Sequence, residues 1–303
     1  TDKLKSSKRP DEAYALVLSE FLSRYSVKRL GVPFNFPAGV YRALEQDFSV
    51  KIQGSPIARQ REIKRPEEIE AIALTQRAGE RAMKKAIRLI ASSEARGEML
   101  SRGGEPLTSE RVRRAIELSL LEDGCEAVDT IVAGGEQAAD PHARGVGPLP
   151  ANAPIVIDIF PRSKSSRYFA DMTRTVLKGE ASSEVVELYR AVEAAQEAGL
   201  QAVREGATGS EVHRRVSDVF QEQGYPEREG CGFTHSTGHG VGLAVHERPS
   251  LGEAGEALKS GQVVTVEPGL YYPDLGGVRL EDLVVVEKDR CRNLTRLQRK
   301  LVV

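Results

Sequence analysis

The sequence predicts an α+β fold: two related helix–helix–strand halves packed face to face around a cleft, preceded by a partial α/β lobe. Three observations predict it. Two short helical segments overlay at an offset of 100, pairing Val112 with Val212, Arg114 with Arg214, Ile116 with Val216, Leu120 with Phe220 and Gly124 with Gly224. Each segment is followed by β-rich sequence. Each half also carries two carboxylates in strand-like surroundings on either side of a turn, Asp158 with Asp171 and Glu267 with Glu281.

The elements follow in chain order. A basic, Ser-rich start runs to Pro10 and has no apolar run behind it, so it does not read as a secretory signal. A helical pattern covers Asp11 to Tyr25. Strand, helix and strand then occupy Val27–Val32, Ala38–Gln46 and Phe48–Ile52. Residues 1–60 make a thin lobe, part of a domain rather than a whole one. Pro66 followed by Glu67 and Glu68 suits the first turn of a helix and opens the main domain, residues 61–303. Apolar residues recur at helical spacing through Ile69, Ile72, Ala73, Ala82, Ala86 and Ile90. A second helix spans Thr108 to Leu121, and strands follow over Ala127–Gly135 and Ile155–Val176. The order then repeats, with helices over Glu184–Arg204 and from Gly209 to Gly224, and strands to the end.

The chain has 303 residues, 40% of them hydrophobic, enough for a sizeable core. Lys+Arg 43 against Asp+Glu 44 gives a net charge of -1 and no reason to expect nucleic acid or an anionic membrane as partner. No stretch reaches the roughly 20 apolar residues of a membrane helix. Cys125, Cys231 and Cys291 are scattered and read as free thiols in a reducing compartment, the cytoplasm. The lack of an initial Met suggests a processed or truncated product.

Asp158 stands in the apolar strand Ile155-Val156-Ile157-Asp158-Ile159-Phe160, where burial costs several kcal/mol unless a cation compensates. Ser163-Lys164-Ser165-Ser166 reads as a hairpin turn. A turn centred between Lys164 and Ser165 sets residues whose numbers sum to 329 opposite one another, Asp158 facing Asp171, with Cβ atoms about 5 Å apart. Like charges that close repel, and one takes up a proton at neutral pH unless a cation lies between them. Glu267 and Glu281 flank a second turn, Pro273 to Gly277, at a similar separation (14 positions against 13). Four carboxylates with an imidazole suit divalent ions such as Mn, Co, Fe or Zn. The run from His235 to Gly242, followed by His246 and Glu247, supplies imidazoles, and the glycines around His239 let the backbone approach a ligand. Singly, each feature has a plain reading: a strand acid faces solvent, and a His beside Gly sits in a loop. His239-Gly240-Val241-Gly242 follows no βα unit, so it is not a nucleotide loop. The joint pattern favours a metal centre. Cys231 reads as packing, and Arg290 to Lys300 as a solvated surface.

From about Arg61 onward, the sequence resembles the pita-bread metallopeptidases: methionine aminopeptidase, aminopeptidase P, prolidase and the metal-free relative creatinase. The resemblance rests on Ala139-Asp140-Pro141-His142, the Asp158 strand, Asp171-Met172-Thr173-Arg174-Thr175, His235 to Gly242, His246-Glu247-Arg248-Pro249, Glu267-Pro268-Gly269 and Val278-Arg279-Leu280-Glu281-Asp282. The HxxGHGxG, EPG and VRxED strings point to the proline-specific branch, and residues 1–60 to the end of that branch's N-terminal domain.

This resemblance implies the pita-bread fold with its curved antiparallel sheet, a homodimer, and a peptide substrate with proline in second place. The implied reaction is hydrolysis of the N-terminal Xaa-Pro bond by a hydroxide that two divalent ions activate. Asp158 then holds one ion, Asp171 and Glu281 bridge both, and His239 and Glu267 complete the second. Glu267 shuttles the proton, His246 and His235 hold the carbonyl and oxyanion, His142 assists the leaving nitrogen or lines the pocket, and Arg279 orients Asp171 or Glu281. One departure stands out: where the family has Asp-x-Gly, this chain has Asp158-Ile159-Phe160. On a regular strand Phe160 shares the face of Asp158. A bulge at Pro161 would turn it into the core, the reading that a strand buried on both faces favours. The alternatives are a creatinase-like amidinohydrolase and a non-enzymatic binding module on the same fold. The complete ligand set argues against both.

Overall fold

The structure is a computed structural model that describes residues 10–226 and 230–303. The basic start of the sequence lies outside the described residues. The chain divides into two compact units, Thr1–Gln60 and Arg61–Val303.

In the first unit, helix α1 (Pro10–Arg24) precedes a βαβ arrangement: β1 (Arg29–Val32), α2 (Ala38–Leu44) and β2 (Ser49–Ile52), the two strands parallel. Its small core gathers Ala15, Val40, Leu44 and Phe48.

After α3 (Pro56–Glu62), the second unit opens with α4 (Pro66–Ala91). Pro66 occupies the start of that helix, and the Glu68 side chain accepts the Arg65 N–H at 2.8 Å, satisfying one of the open donors of the first turn. Helix α5 (Ser109–Glu122) packs on α4, and α6 (Ser183–Ala202) on α7 (Gly209–Glu222). The two short helices repeat at an offset of 100 from end to end. Thr108 and Thr208 cap their N-termini, accepting from the N–H of Arg111 and Glu211. Gly124 and Gly224 follow their C-termini with φ of 69° and 85°, a turn that favours glycine.

Between the helix pairs lie the strands. The first half contains β3 (Glu94–Arg96), β4 (Met99–Arg102), β5 (Glu105–Pro106), β6 (Cys125–Glu126), β7 (Ile131–Gly134), β8 (Ile155–Ile159), β9 (Arg162–Ser163) and β10 (Met172–Val176). The second contains β11 (Gly238–Gly240), β12 (Glu247–Leu251), β13 (Val263–Val266), β14 (Gly269–Tyr272), β15 (Gly276–Arg279), β16 (Asp282–Val286) and β17 (Cys291–Asn293). Antiparallel sheets run in the orders β10-β8-β7 and β12-β11-β13-β16-β17, with β14-β15 as a separate hairpin. One apolar core joins α4 and α5 to β8 and β10, and another joins α6 and α7 to β14 and β15. The halves meet where β10 runs beside β15 and β16: the Glu281 N–H donates to Thr173 O at 3.1 Å, and Thr175 exchanges two bonds of 3.0 Å with Arg279.

Three expectations need correction. The register of β8 with β10 sets Asp158 opposite Thr173, so facing residues sum to 331, not 329. The turn is centred one residue later, closed by Arg167 N–H to Ser163 O with Arg167 at a φ of 67°. Glu281 lies one residue before β16, at the break between β15 and β16. The segment from Arg290 to Lys300 is no solvated surface: Leu294 and Thr295 are buried, and Arg299 donates to Gln196.

Candidate metal centre

Asp158 comes from β8, one residue before its end, Asp171 from just before β10, and Glu281 from just before β16. A carboxylate oxygen from each lies within 4.8 Å of the others. Asp158 and Asp171 are diagonal neighbours rather than a direct pair, yet a register shift of one residue on each strand leaves both on the same face. Glu267 follows β13 as Glu281 precedes β16. The register that pairs Val266 with Asp282, carried one step further, sets these two glutamates opposite each other.

His239, on β11, joins the two groups. Its Nε2 stands 3.2 Å from Glu267 Oε1 and 3.8 Å from Asp171 Oδ2. Its Nδ1 lies 3.2 Å from the carbonyl of Gly240, an acceptor only, so Nδ1 carries the proton. Thr265 fixes the pair, its hydroxyl donating to Glu267 Oε1 at 3.0 Å and accepting the His239 N–H at 2.9 Å.

All ten residues singled out from the sequence line one cavity of about 240 Å³: His142, Asp158, Asp171, His235, His239, His246, Glu267, Arg279 and Glu281, with Phe160 beside Ile131 and Val245 as apolar wall. Phe160 is half-buried, lines this cavity and, among the described residues, belongs to none of the apolar core clusters, which supports the pocket reading. His142 and His246 are exposed at the mouth, and the His246 ring meets that of His239 edge to face at 4.1 Å.

Arg279 takes a different partner from the one expected. Its guanidinium donates to Asp158 Oδ2 at 2.8 Å and to the Tyr271 hydroxyl at 2.8 Å, and reaches Glu281 only through Thr173, which donates to Glu281 Oε2 at 2.7 Å. His235 has both ring nitrogens engaged: Nδ1 donates to Ser236 O and Nε2 accepts the Tyr271 hydroxyl, each at 2.8 Å. That leaves His235 no donor for an oxyanion. Burial pulls its pKa down, in keeping with a neutral ring. Tyr271, buried and linking Arg279 to His235, went unnoticed in the sequence, where the only signal was a tyrosine two residues past Glu267-Pro268-Gly269. The glycines around His239 also serve another purpose. A Cβ on Gly238 would come within 2.1 Å of Thr265 O, and one on Gly240 within 2.2 Å of Arg248 O, so they admit neighbouring strands rather than a ligand.

Burial, then the charges of Glu281 and Asp158, pushes the Asp171 carboxyl well above the usual range. Burial, then the charges of Glu267 and Asp158, does the same to Glu281. Asp158 is also raised by burial, despite Arg279. Burial pushes Glu267 up as well, but the bond and charge of His239 outweigh it and bring the group to about 2. Asp158 Oδ1 and Glu281 Oε1 are buried without a hydrogen-bond partner. Clustered carboxylates, two orphan oxygens and an imidazole whose far nitrogen is tied to a carbonyl fit divalent cations of the hard-to-borderline class.

Comparison with known proteins agrees. Residues 70–288 match the model of metallopeptidase family M24. The chain is 31% identical over 285 residues to a Xaa-Pro dipeptidase of Pyrococcus horikoshii, covering 91% of this chain and 75% of that protein. It is 34% identical over 246 residues to a Xaa-Pro dipeptidase of Pyrococcus furiosus, covering 79% of this chain and 65% of that one. Among solved structures, the prolidase from Pyrococcus furiosus aligns with a TM-score of 0.82 at 29% identity, over 97% of this chain and 81% of the other. An X-Pro aminopeptidase from Thermotoga maritima aligns with a TM-score of 0.80 at 29% identity, over 98% and 81%. These likenesses carry the pita-bread fold.

Proposed function

Because this chain belongs to metallopeptidase family M24, we propose that it hydrolyses the peptide bond between an N-terminal residue and a following proline. The carrying observation is the convergence of the Asp158, Asp171 and Glu281 oxygens within 4.8 Å, beside the His239–Glu267 pair. The preference for proline is taken from relatives described as Xaa-Pro dipeptidases.

In this reading Asp158, Asp171, His239, Glu267 and Glu281 are the residues that would hold two divalent ions, Mn, Co, Zn or Fe. Such ions, when bound, polarise a carbonyl and make water a nucleophile near neutral pH. Glu267 is ionised and fixed by Thr265, so its carboxylate can take the proton that the attacking water gives up. His246, at the cavity mouth and without a hydrogen bond to the protein among the described residues, steadies the developing charge on the carbonyl oxygen, and His142 serves the leaving nitrogen. Arg279 holds Asp158 in orientation, and Tyr271 holds His235, which shapes the wall rather than donating. Proline brings no N–H to the scissile bond, so recognition falls to the shape of the cavity and not to a donor pair.

We also read the protein as a homodimer in a reducing compartment; the unpaired Cys125, Cys231 and Cys291 accord with the second point. No helix among the described residues is long and apolar enough to cross a membrane.

The test strips the protein with a chelator, adds back each of the four metals, and compares a Xaa-Pro dipeptide, a longer Xaa-Pro peptide and an N-terminal Met peptide without proline. Metal-dependent release from the proline substrates is expected. No hydrolysis with any metal, or faster release of Met, overturns the proposal.

A further inference from the structure

The residues around Lys64 form an ionic cluster that the proposed reaction does not use. Lys64 is buried, only 5% exposed, and its Nζ donates to Glu247 Oε1 at 2.7 Å. Arg61 donates to Glu247 Oε2 at 2.5 Å. In the opposite sense, Arg248 pairs with Glu62 at 3.2 Å. The segment from Arg61 to Lys64 is thus fastened to the start of β12 by three ion pairs, and the Lys64 N–H donates to Gly261 O at 2.9 Å. A buried lysine–carboxylate pair contributes little net stability, because desolvation offsets most of the attraction; what it does supply is a fixed geometry.

That geometry bears on His246. Glu247 is its chain neighbour and pairs with Gly240, the residue after His239. The space that Glu247 occupies is kept open by a glycine of the His239-Gly240-Val241-Gly242 run: a Cβ on Gly242 would meet Glu247 Oε1 at 2.3 Å. His246 itself makes no hydrogen bond to the protein among the described residues, and touches His239 only through the rings, 4.1 Å apart. With no hydrogen bond of its own, the ring takes its position from the adjoining backbone at residue 247, which the β11 pairing holds on one side and the Glu247 side chain fastens to Lys64 and Arg61 on the other.

We propose that Lys64, Arg61 and Glu247 are positioning residues that hold His246 over the reaction centre. This rests on the role given to His246 in the proposed Xaa-Pro hydrolysis. It explains why a lysine is buried more than 180 positions away in sequence from the motif it serves. It also gives the Gly242 position a structural requirement independent of any ligand.

The experiment is a double-mutant cycle in the metal-loaded full chain, reading kcat/KM on a Xaa-Pro dipeptide for wild type, Lys64→Met, His246→Ala and the double variant. A displaced group can cost up to about 100-fold. Lys64→Met is therefore expected to lower kcat/KM tenfold or more, and to have no further effect once His246 is Ala. Arg61→Met, at the more exposed end of the cluster, should show the same pattern with a smaller effect. It carries the test should Lys64→Met fail to fold. A second readout needs no turnover: with 13C-labelled histidine, five ring signals are expected. Lys64→Met should shift that of His246, identified by its loss in His246→Ala, and leave that of His213 unmoved. Multiplicative losses in the cycle, a His246 signal that stays in place, or full activity of His246→Ala would each overturn the proposal. If wild type hydrolyses no Xaa-Pro substrate with any metal, the functional reading has failed instead, and the histidine signals alone judge the clamp.

Discussion

In metal-free protein the Asp171 and Glu281 carboxyls should contribute stability that grows as the pH falls toward their unfolded values, the reverse of the ordinary carboxylate contribution to acid denaturation. Asp171 and Glu281 have pKa values raised in the folded state, by burial first and then by neighbouring carboxylates. Between the unfolded value, about 4, and the raised folded value, the native state binds more protons than the unfolded chain. Stability therefore falls as pH rises through that window, and the penalty is complete above it. Each extra proton held by the native state is worth about 1.4 kcal/mol per pH unit. For a domain of the size of Arg61–Val303, 1 kcal/mol moves Tm by about 2–4 °C, so the slope is about 3–6 °C per pH unit and per group. The control is Asp171→Asn/Glu281→Gln, which mimics the protonated pair at every pH. Melting curves in chelator across pH 5 to 8 should show the variant more stable than wild type at pH 8, the gap closing as pH falls. A gap independent of pH, or one that widens on acidification, refutes the reasoning, because the carboxylates would then not be paying a charge penalty in the absence of metal.

Restoring a divalent ion should release protons and raise Tm: at a free concentration 100 times Kd the gain is about 2.7 kcal/mol, or about 5–11 °C. Calorimetric titration in two buffers of different ionisation enthalpy checks the release, and binding without it would separate the ion from these carboxylates. His239→Ala and Glu281→Ala should each abolish hydrolysis with little loss of fold, as read by circular dichroism; activity within tenfold of wild type removes that residue from the centre. Phe160→Gly should broaden the range of N-terminal residues accepted, measured as kcat/KM over a Xaa-Pro panel. A stability loss of about 3–5 kcal/mol with unchanged selectivity would mean that the ring packs instead.

Much of the fold was legible because its signals are local. Pro66 with Glu67 and Glu68, Thr108 and Thr208 as caps, and Gly124 and Gly224 as stops each act within one helical turn, and the bounds of α5 and α7 repeat at the offset read from the sequence. The order strand, helix, strand in the first unit was visible for the same reason. What distant partners decide was not legible. Arg174 shows no local sign of burial, yet it is 2% exposed, donating to Asp282 and to the carbonyls of Thr173, Glu281 and Leu297. The tail after Arg290 is rich in charge and still packs, because Gln76 and Arg77 on α4 take up Thr295 and the Leu294 carbonyl.

The candidate site divides along the same line. Acids in apolar strands can be recognised singly, because burial makes them costly. Their meeting depends on register, and the turn at Ser163 to Ser166 leaves its centre open between adjacent positions. Moving the centre by one residue shifts facing partners by two, so Asp158 meets Thr173 instead of Asp171 while every side chain keeps its face. The convergence on one face thus survived a wrong register, and the exact pairing did not. Thr173, set opposite Asp158 by that register, receives Arg279 Nε and donates to Glu281. With Asp171 in that place, a carboxylate would stand directly against Asp158, with no hydroxyl to relay between the guanidinium of one half and the carboxylate at the seam. The observed register therefore does more than tolerate the cluster: it gives Asp158 and Glu281 a common connection to Arg279 and leaves one oxygen of each, Oδ1 and Oε1, unpartnered for a cation.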